Sequence, residues 1–340
     1  MGHKLIGNIE EIKNVKRHKG REIYYFTFSY KDYKKLKNIQ NNILTAYYPT
    51  DMMKVFRSKI IISSHGLIFH NLLKNFLNIE TFFTGHAIKS NNHKEILREQ
   101  KLFTEVWLYS NFERDIYIEE CNYDTDNLVT TGYPRIDTLN NLLSIKERIK
   151  KDIEIDSKLI LYAPTDDRGN KNYKESILSP HNVDLYKLFE EISLKLNLKF
   201  LIKLHINTRL DSNLIDFINR SKNLIFYDQF QNYPDITALA VSDLLITDWS
   251  SVFVDYLITD NSILFLNSPM AYDISGVSKV FDNDYIERVD SFNMLDNKIT
   301  EAFNNNFKLQ DNLQILKTKI FEGKFLDKSL ERCLERLPEE

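Results

Sequence analysis

The stretch Asp243–Asp260 reads DLLITDWSSVFVDYLITD, and its pattern is the strongest indication of fold in the chain. Leu244, Leu245 and Ile246 form an unbroken apolar run, which is typical of a strand buried on both faces of a parallel sheet. Residues 247–251, TDWSS, then supply four short side chains that carry oxygen, the residue types that cap helix N-termini. Apolar residues return after them at helical spacing. The stretch therefore predicts a buried strand, a capped turn and a helix.

The predicted turn also suggests a ligand. A strand that feeds directly into a helix leaves unpaired backbone N–H groups at the helix N-terminus, beyond the carboxyl end of the strand. Those donors, the helix dipole and the hydroxyls of Ser250 and Ser251 favour a bound phosphate, and Thr247 and Asp248 lie in the same turn. On spacing alone, an ordinary βα turn with good capping explains the pattern equally well.

Length and composition exclude several classes of protein. The 340 residues suffice for two domains, and 43% hydrophobic with 27% charged residues is typical of a globular protein with a full core. A net charge of −3 gives no support to nucleic-acid binding. Only Cys121 and Cys333 are present, so no disulfide framework is expected. Neither a signal peptide nor an apolar run of about 18 residues is evident, which favours a cytoplasmic location.

Strand and helix patterns alternate along almost the whole chain, which indicates an α/β structure with parallel sheets. We predict two doubly wound, Rossmann-type domains facing each other across a cleft, a GT-B-like arrangement, with residues 1–138 on the acceptor side and residues 139–340 binding the donor. Ligands of such sheets bind at the carboxyl ends of strands. The predicted strands are 22–28, 44–48, 59–63, 79–84, 105–109 and 128–131 in the first domain, and 159–163, 200–204, 224–226, 244–247 and 263–266 in the second.

Four motifs at the ends of predicted strands carry a family resemblance. They are Gly132-Tyr133-Pro134-Arg135 with Asp137, Tyr162-Ala163-Pro164-Thr165, Lys203-Leu204-His205, and LITDWSS at 245–251. In this order they resemble the CDP-glycerol glycerophosphotransferase family, the teichoic-acid and capsule enzymes that move a polyol phosphate from a CDP-activated donor. The resemblance covers roughly residues 80–270. It also implies the two-domain GT-B architecture.

The resemblance implies a histidine base. A family histidine beside a glycine on a loop of the first domain is thought to take the proton of the attacking hydroxyl, a task that suits imidazole. His86 follows Gly85 here and is the favoured candidate. The family order is Trp-His-Gly-Thr-Pro, however, and Ser64-His65-Gly66 keeps the His-Gly order, so His65 is a rival. A purely structural loop histidine is the remaining alternative.

The resemblance places His205 beside the donor diphosphate, where it stabilises charge as the nucleotide leaves. Without the resemblance, a histidine just past a buried strand is as easily a capping or packing residue. Thr165 and Arg168 are assigned to donor binding. The family places its arginine closer to the threonine, however, so a solvated loop arginine explains Arg168 equally well. Lys203 is a further possible site residue, interpreted as structural or as a nearby supporting charge.

Three further features complete the expected site. Arg135 is interpreted first as a hinge residue that pairs with Asp137, and Asp255 as a residue that orients the turn. The family also carries an arginine-glycine pair after its last strand, where this chain has Ser275-Gly276-Val277, with Lys279 nearby. That departure leaves the identity of the donor open.

Neither a metal nor a cofactor is expected. Asp124-Thr125-Asp126 has DxD spacing but precedes a strand, which favours an Asx turn, and the histidine pairs lack the i, i+4 spacing of a zinc site. The apolar stripe of the predicted helix Leu67–Leu77 suggests a membrane contact. We favour core packing for it because few basic residues accompany the stripe.

The sequence thus predicts a transferase that moves glycerol or ribitol phosphate from a CDP donor to a hydroxyl of a cell-surface polymer or its lipid-linked precursor. Peripheral membrane contact accompanies that function, and no nucleic acid is involved. A glycosyltransferase that uses a nucleotide sugar and a catalytically silent binding module are the alternatives. The polyol, the acceptor, the number of units added and the oligomeric state are not fixed by the sequence.

Overall fold

The computed structural model describes residues 8–38, 41–64, 66–67, 70–85, 87–88, 94–123, 126–205, 207–227, 233–270, 279–322 and 324–339. The described residues divide into two compact units. The first unit is drawn from residues 1–88, 92–138 and 323–340, and the second from residues 89–91 and 139–322. Both units are α/β, as the alternating pattern predicts.

The first unit is built on a parallel sheet of four strands in the order β5-β6-β7-β8. A parallel pair, β3 and β4, and an antiparallel hairpin, β1 and β2, precede it. The strands are β1 Arg17–His18, β2 Arg21–Glu22, β3 Tyr25–Thr27, β4 Ile43–Thr45, β5 Ile60–Ser63, β6 Glu80–Phe83, β7 Glu105–Leu108 and β8 Leu128–Thr130. The helices are α1 Asn8–Asn14, α2 Tyr30–Lys37, α3 Pro49–Phe56, α4 His70–Asn75, α5 Lys94–Gln100 and α6 Asn111–Asp115, which continues as a π-helical turn, Ile116–Glu120.

The second unit contains a six-stranded, all-parallel sheet in the order β11-β10-β9-β12-β13-β14. Its strands are β9 Lys158–Tyr162, β10 Leu198–Ile202, β11 Leu224–Phe226, β12 Leu244–Thr247, β13 Ser262–Leu266 and β14 Arg288–Val289. Helix α7 Pro134–Ser144 leads into it, and α8 Lys146–Asp152, α9 Lys171–Lys174, α10 Val183–Leu196, α11 Ser212–Arg220, α12 Thr237–Val241, α13 Val252–Tyr256, α14 Phe292–Asn304 and α15 Asp311–Phe321 follow. The last helix of the chain is α16 Ser329–Glu335.

The strand order of the second unit identifies where a ligand would bind. The chain runs outward from β9 through β10 to β11, then returns to place β12 against the other side of β9. All residues of β12 are buried, as a strand covered on both faces requires. The crevice of a doubly wound sheet opens at this reversal, beyond the carboxyl ends of the two neighbouring strands. The turns after β9 and β12 therefore meet at the switch point.

The C-terminal segment corrects the expected domain boundary. Residues 139–340 do not form one body, because the tail beyond residue 323 belongs to the first unit. Asp137 accepts the backbone N–H groups of Ser329 and Leu330 at 3.0 and 2.8 Å and thereby caps α16. Cys333 and Leu337 are buried in a cluster with Phe82 and Trp107 of the first sheet. Asp137, the expected partner of Arg135, is thus engaged with the tail.

Core packing accounts for only one side of the helix expected at Leu67–Leu77. The observed helix, α4, buries His70 and Leu73. Leu72 and Leu77 are exposed, and Phe76 has 80% of its surface accessible. Among the described residues, no helix has the length and apolar character needed to cross a membrane.

Candidate functional site

The buried carboxylate of Asp248 joins the two turns at the switch point. Its Oδ1 accepts the backbone N–H groups of Thr165 at 2.8 Å and Trp249 at 2.6 Å. Its Oδ2 accepts the hydroxyl of Tyr173 at 2.5 Å. Burial raises the pKa of Asp248, and the hydrogen bonds from Tyr173, Thr165 and Trp249 act in the opposite direction. The carboxylate therefore holds the turn after β9 against the turn after β12.

This geometry corrects the prediction for two of the residues expected to bind the donor molecule, Thr247 and Asp248. Asp248 is 0% exposed, and its oxygens are occupied by protein donors. Thr247 is equally buried, and its hydroxyl donates to the carbonyl of Ala163 at 2.7 Å. Both side chains face into the protein, where a donor molecule does not reach them. Their hydrogen bonds join the two turns, so their role is to position those turns.

The serine hydroxyls remain available to a ligand. Ser250 and Ser251 are both partly exposed. The Oγ of Ser250 accepts the N–H of Val252 only at 3.4 Å, a long contact for a hydrogen bond. Ser251 occupies the N-cap of α13, and within the described structure its side chain makes no capping bond. The predicted helix is confirmed as α13, but the expected side-chain caps are not used as caps.

Arg288 supplies a cation that the sequence motifs do not reveal. It lies opposite Phe265 in the parallel pair β13–β14, and its guanidinium stands 3.4 Å from the centroid of the Trp249 ring. Trp249 is fixed in turn by a bond from its Nε1 to the carbonyl of Ser268 at 2.7 Å. Burial lowers the pKa of Arg288 to about 10, while the nearby Asp248 opposes that shift.

Arg288 has hydrogen-bonding capacity to spare. Its Nε and Nη2 are buried and have no partner among the residues that the structure describes. Nη1 lies 3.4 Å from the carbonyl oxygen of Leu266, which is long for a hydrogen bond. The Ser275-Gly276-Val277 segment that replaces the family's arginine-glycine pair lies outside the described residues. Arg288 nevertheless places a positive charge behind the β12–α13 turn.

His205 follows β10, at the carboxyl edge of the same sheet. Its Nδ1 accepts the backbone N–H of Asn207 at 3.3 Å and lies 3.6 Å from Oδ2 of Asp166. An accepting Nδ1 leaves the proton of the neutral ring on Nε2. Burial lowers the pKa of His205, Asp166 opposes this, and the cations Lys203 and Arg168 lower it further. The side chain is 44% exposed, so the ring is accessible to a ligand.

The remaining predicted residues of the second unit take different positions. Lys203 forms an ion pair with Asp235 at 3.0 Å, which fits its interpretation as a structural charge. Arg168 is exposed and has a left-handed backbone, with φ of +46°. Thr165 is largely buried and is tied to the switch point through its backbone. Asp255 is buried within α13.

Sequence reasoning missed a second charged cluster in the loop after β9. Asp167 accepts the N–H of Gly169 at 2.6 Å, contacts Nε2 of His181 at 2.9 Å and lies 3.4 Å from Nζ of Lys174. Burial alone would raise the pKa of Asp167, but the bonds from Gly169 and His181 and the charge of Lys174 lower it overall. The sequence feature that could have indicated this cluster is the adjacent pair Asp166-Asp167. Two consecutive carboxylates repel each other unless each has its own hydrogen-bond donor or cation.

The candidate bases His86 and His65 lie outside the described residues, whereas Gly85 and Ala87 on either side of His86 are described. Gly85 has φ of +63°, and a Cβ there would lie 2.5 Å from the Tyr133 hydroxyl. That hydroxyl donates toward the carbonyl of Ala87 at 3.2 Å and the buried carboxylate of Glu113 at 3.2 Å. The Gly-Tyr-Pro-Arg turn thus packs against the loop of the favoured base. Arg135 lies with its guanidinium 4.9 Å from the ring centre of Tyr133.

Among the described residues, no group of three or more histidine, cysteine or acidic side chains is arranged to hold a metal ion. The site instead presents hydroxyls, an imidazole and a buried guanidinium. Such groups bind and stabilise phosphate oxygens.

Comparison with known proteins decides the family. The model described as CDP-Glycerol:Poly(glycerophosphate) glycerophosphotransferase matches residues 5–319. The chain belongs to this family. It is 32% identical over 215 residues to a teichoic acid poly(ribitol-phosphate) polymerase of Bacillus spizizenii, a match that covers 61% of this chain and 30% of that protein. It is 28% identical to the teichoic acid ribitol-phosphate polymerase TarK of Staphylococcus aureus, a match that covers 74% of this chain and 46% of TarK. The chain spans less than half the length of these relatives.

Solved structures support the fold of the family member. The wall teichoic acid polymerase TagF superposes with a TM-score of 0.59 at 20% identity, covering 86% of this chain and 74% of that one. A UDP-GlcNAc 2-epimerase from Neisseria meningitidis gives 0.51 at 14% identity, covering 84% and 79%. The predicted GT-B-like fold class is confirmed.

The Asp248 junction predicts a stability difference between two buried tyrosines. Tyr173→Phe removes a donor to a buried carboxylate, and we expect a loss of about 1.5–3 kcal/mol in the free energy of unfolding. Tyr186→Phe is the matched control, because its hydroxyl donates to the neutral carbonyl of Pro180 at 3.0 Å. The control is expected to lose about 0.5–1.5 kcal/mol. Urea denaturation measures both, and equal losses would contradict the role given to Asp248.

The loop beside His86 predicts a difference between two glycines. Gly85→Ala combines a left-handed φ with a clash against Tyr133. Gly169→Ala has a similar φ of +79°, but nothing lies within 4 Å of the added Cβ. We expect both variants to lose about 1–2 kcal/mol from backbone strain, and Gly85→Ala to lose more because of the clash. Thermal unfolding compares them, and a smaller shift for Gly85→Ala would contradict the described packing.

Proposed function

We propose that this family member transfers glycerol phosphate or ribitol phosphate from a CDP-activated donor to a hydroxyl of a cell-surface polymer or its lipid-linked precursor. The observation that supports the proposal is a group of side chains suited to phosphate at the carboxyl edge of the second sheet. His205 follows β10, Ser250 and Ser251 follow β12, and Arg288 lies behind them. Family membership supports the CDP donor.

In the proposed reaction, an acceptor oxygen attacks the phosphorus that carries the polyol. A bond forms between the two, and the bond from that phosphorus to the bridging oxygen of CMP breaks. The proton of the attacking hydroxyl passes to a base, for which we propose His86, with His65 as the alternative. CMP leaves with the electron pair of the broken bond, and His205 and the β12–α13 turn stabilise the charge that develops on its phosphate.

A donor panel tests the reaction class. The protein is incubated with CDP-glycerol, CDP-ribitol and a set of sugar nucleotides, with a teichoic acid acceptor, and the released nucleotide is measured. We expect CMP from a CDP-polyol only. Release from a sugar nucleotide instead would support the glycosyltransferase alternative, and binding of a CDP-polyol without release under any acceptor would indicate a silent binding module.

His205→Ala tests the charge-stabilising role. Removal of one group that stabilises transition-state charge typically costs about 10²–10³ in turnover, so we expect a loss of roughly several hundredfold. The thermal transition should be preserved, because the ring is partly exposed and contacts Asn207 and Asp166 in the adjoining loops. Near-normal turnover in a folded His205→Ala protein would exclude the role.

We also propose that the first unit contacts a membrane surface, which suits a lipid-linked acceptor. An aromatic–basic surface supports this; it comprises the exposed residues Tyr24, Phe28, Tyr30, Lys34, Tyr47, Tyr48, Met53, Lys54 and Phe56. Nζ of Lys34 lies 4.9 Å from the ring centre of Tyr30, and Nζ of Lys54 lies 5.0 Å from that of Tyr24. Aromatic rings with adjacent cations favour the interface of an anionic bilayer.

Vesicle binding tests this contact. We expect the protein to cosediment with vesicles that contain phosphatidylglycerol and not with neutral phosphatidylcholine vesicles. The pair of substitutions Lys34→Gln and Lys54→Gln should weaken binding about 30-fold, since each basic residue near an anionic surface contributes about 1 kcal/mol. Lys187→Gln, an exposed lysine of the second unit, serves as the matched control. Equal loss in the control, or no loss in the pair, would refute this surface.

A further inference from the structure

The loop after β9 places a carboxylate beside the histidine that follows β10. We propose that Asp166 is a positioning residue that turns His205 into an imidazolium when a diphosphate binds. The inference rests on the proposed function, because the anion it concerns is the diphosphate of the donor. It assigns a role to a residue that no sequence motif identified.

Asp166 is held so that it faces the ring. Its Oδ1 accepts the backbone N–H of Arg168 at 3.3 Å, and its Oδ2 accepts the side-chain amide of Asn207 at 3.3 Å. The same Oδ2 lies 3.6 Å from Nδ1 of His205. Only 16% of the Asp166 side chain is exposed, so the carboxylate has little freedom to turn away.

The distances describe a ring with two possible partners at Nδ1. In the neutral ring, Nδ1 accepts the N–H of Asn207 at 3.3 Å, while Asp166 at 3.6 Å is just beyond hydrogen-bonding distance. A second proton on Nδ1 makes that nitrogen a donor, and the carboxylate of Asp166 is then the acceptor beside it. Nε2–H has no partner among the residues that the structure describes, and it can donate to a phosphate oxygen in both states.

The charges around the ring single out Asp166. Burial and the cations Lys203 and Arg168 disfavour the imidazolium, whereas Asp166 and Asp167 favour it. The charge of Lys203 is balanced by Asp235, and that of Asp167 by Lys174. These two groups therefore contribute less to the potential at the ring than their charges suggest.

The carboxylate of Asp166 therefore has the largest favourable effect on a positive charge at His205. Oδ2 of Asp166 lies 3.6 Å from Nδ1 of His205, and the two side chains form an ion pair only when the ring is protonated. The charge of Asp166 would repel a diphosphate if it acted directly. Acting through His205, it instead presents a cation to the ligand, and this arrangement differs from the family pattern, which places an arginine closer to Thr165.

The sign of the pH dependence follows. Asp166 raises the pKa of His205, so removing the carboxylate lowers that pKa. A ligand that requires the imidazolium binds less tightly as the pH rises above the pKa of the free protein. The variant should therefore lose affinity at a lower pH than the wild type.

The test combines Asp166→Asn with two measurements. Proton NMR titration of the His205 ring, assigned with His205→Gln, should show the pKa lowered by about 0.5–1 unit. Calorimetric binding of CDP, which carries the diphosphate but no polyol to transfer, should be about three- to tenfold weaker at a pH above both pKa values, since affinity follows the protonated fraction. Asparagine keeps an acceptor for the Arg168 N–H, so the loop is expected to fold.

Asp216→Asn is the matched control, because it removes the same charge from an exposed position on α11 and should leave both readouts unchanged. An unchanged His205 pKa in Asp166→Asn overturns the proposal. A lowered pKa with an unchanged pH dependence of CDP binding also overturns it, because the imidazolium then does not face the diphosphate. If the wild type binds neither CDP nor pyrophosphate, the proposed function fails, whereas the NMR titration still decides whether Asp166 controls the charge of His205.

Discussion

A single buried carboxylate constrains the whole carboxyl edge of the second sheet. Asp248 is removed from water and receives three hydrogen bonds from two backbone amides and a tyrosine. Burying a carboxylate without such donors would cost several kcal/mol of folding free energy. Moving any one donor away from Asp248 is therefore unfavourable. The turns after β9 and β12 are thereby fixed to each other, and α9, which carries Tyr173, is fixed to both. The positions of Ser250 and Ser251 in the turn after β12 therefore depend on this junction.

The junction separates residues that build the site from residues that can meet a ligand. The side chains of Thr247 and Asp248 form hydrogen bonds that hold the turns together. Ser250 and Ser251 are partly exposed, and within the described structure the only hydrogen bond of their hydroxyls is the long one from Val252. The same division recurs in the loop after β9. Asp167 organises that loop from within, and the adjacent Asp166 reaches the half-exposed His205. Residues of one motif thus serve different purposes, because each turn buries some of its side chains and leaves others exposed.

The strands were predictable because burial on both faces produces apolar runs that periodicity detects, and β9, β10, β12 and β13 lie close to their expected positions. The family motifs likewise placed Thr165, His205 and the β12–α13 turn at one edge of the sheet. The role of Asp248 was not predictable, because the direction of a side chain just past a strand depends on its neighbours in space. The tail was misplaced for a related reason. The apolar positions of α16 show that it covers a core, but not that this core includes Phe82 and Trp107.

Arg288 shows how the site can keep its charge without keeping the family motif. A two-residue edge strand has no periodicity to detect, so nothing in the sequence marks Arg288 as part of a site. In the folded unit, its pairing with Phe265 brings the guanidinium onto Trp249, the residue that precedes Ser250 in the β12–α13 turn. Electrostatic interaction depends on distance in space and on local burial, not on separation along the chain. A parallel sheet gathers its strand ends at one edge, so a cation can enter the site from any of those strands. The missing arginine-glycine pair is therefore weak evidence for a different donor, because the sheet supplies a buried positive charge at the same edge by another route.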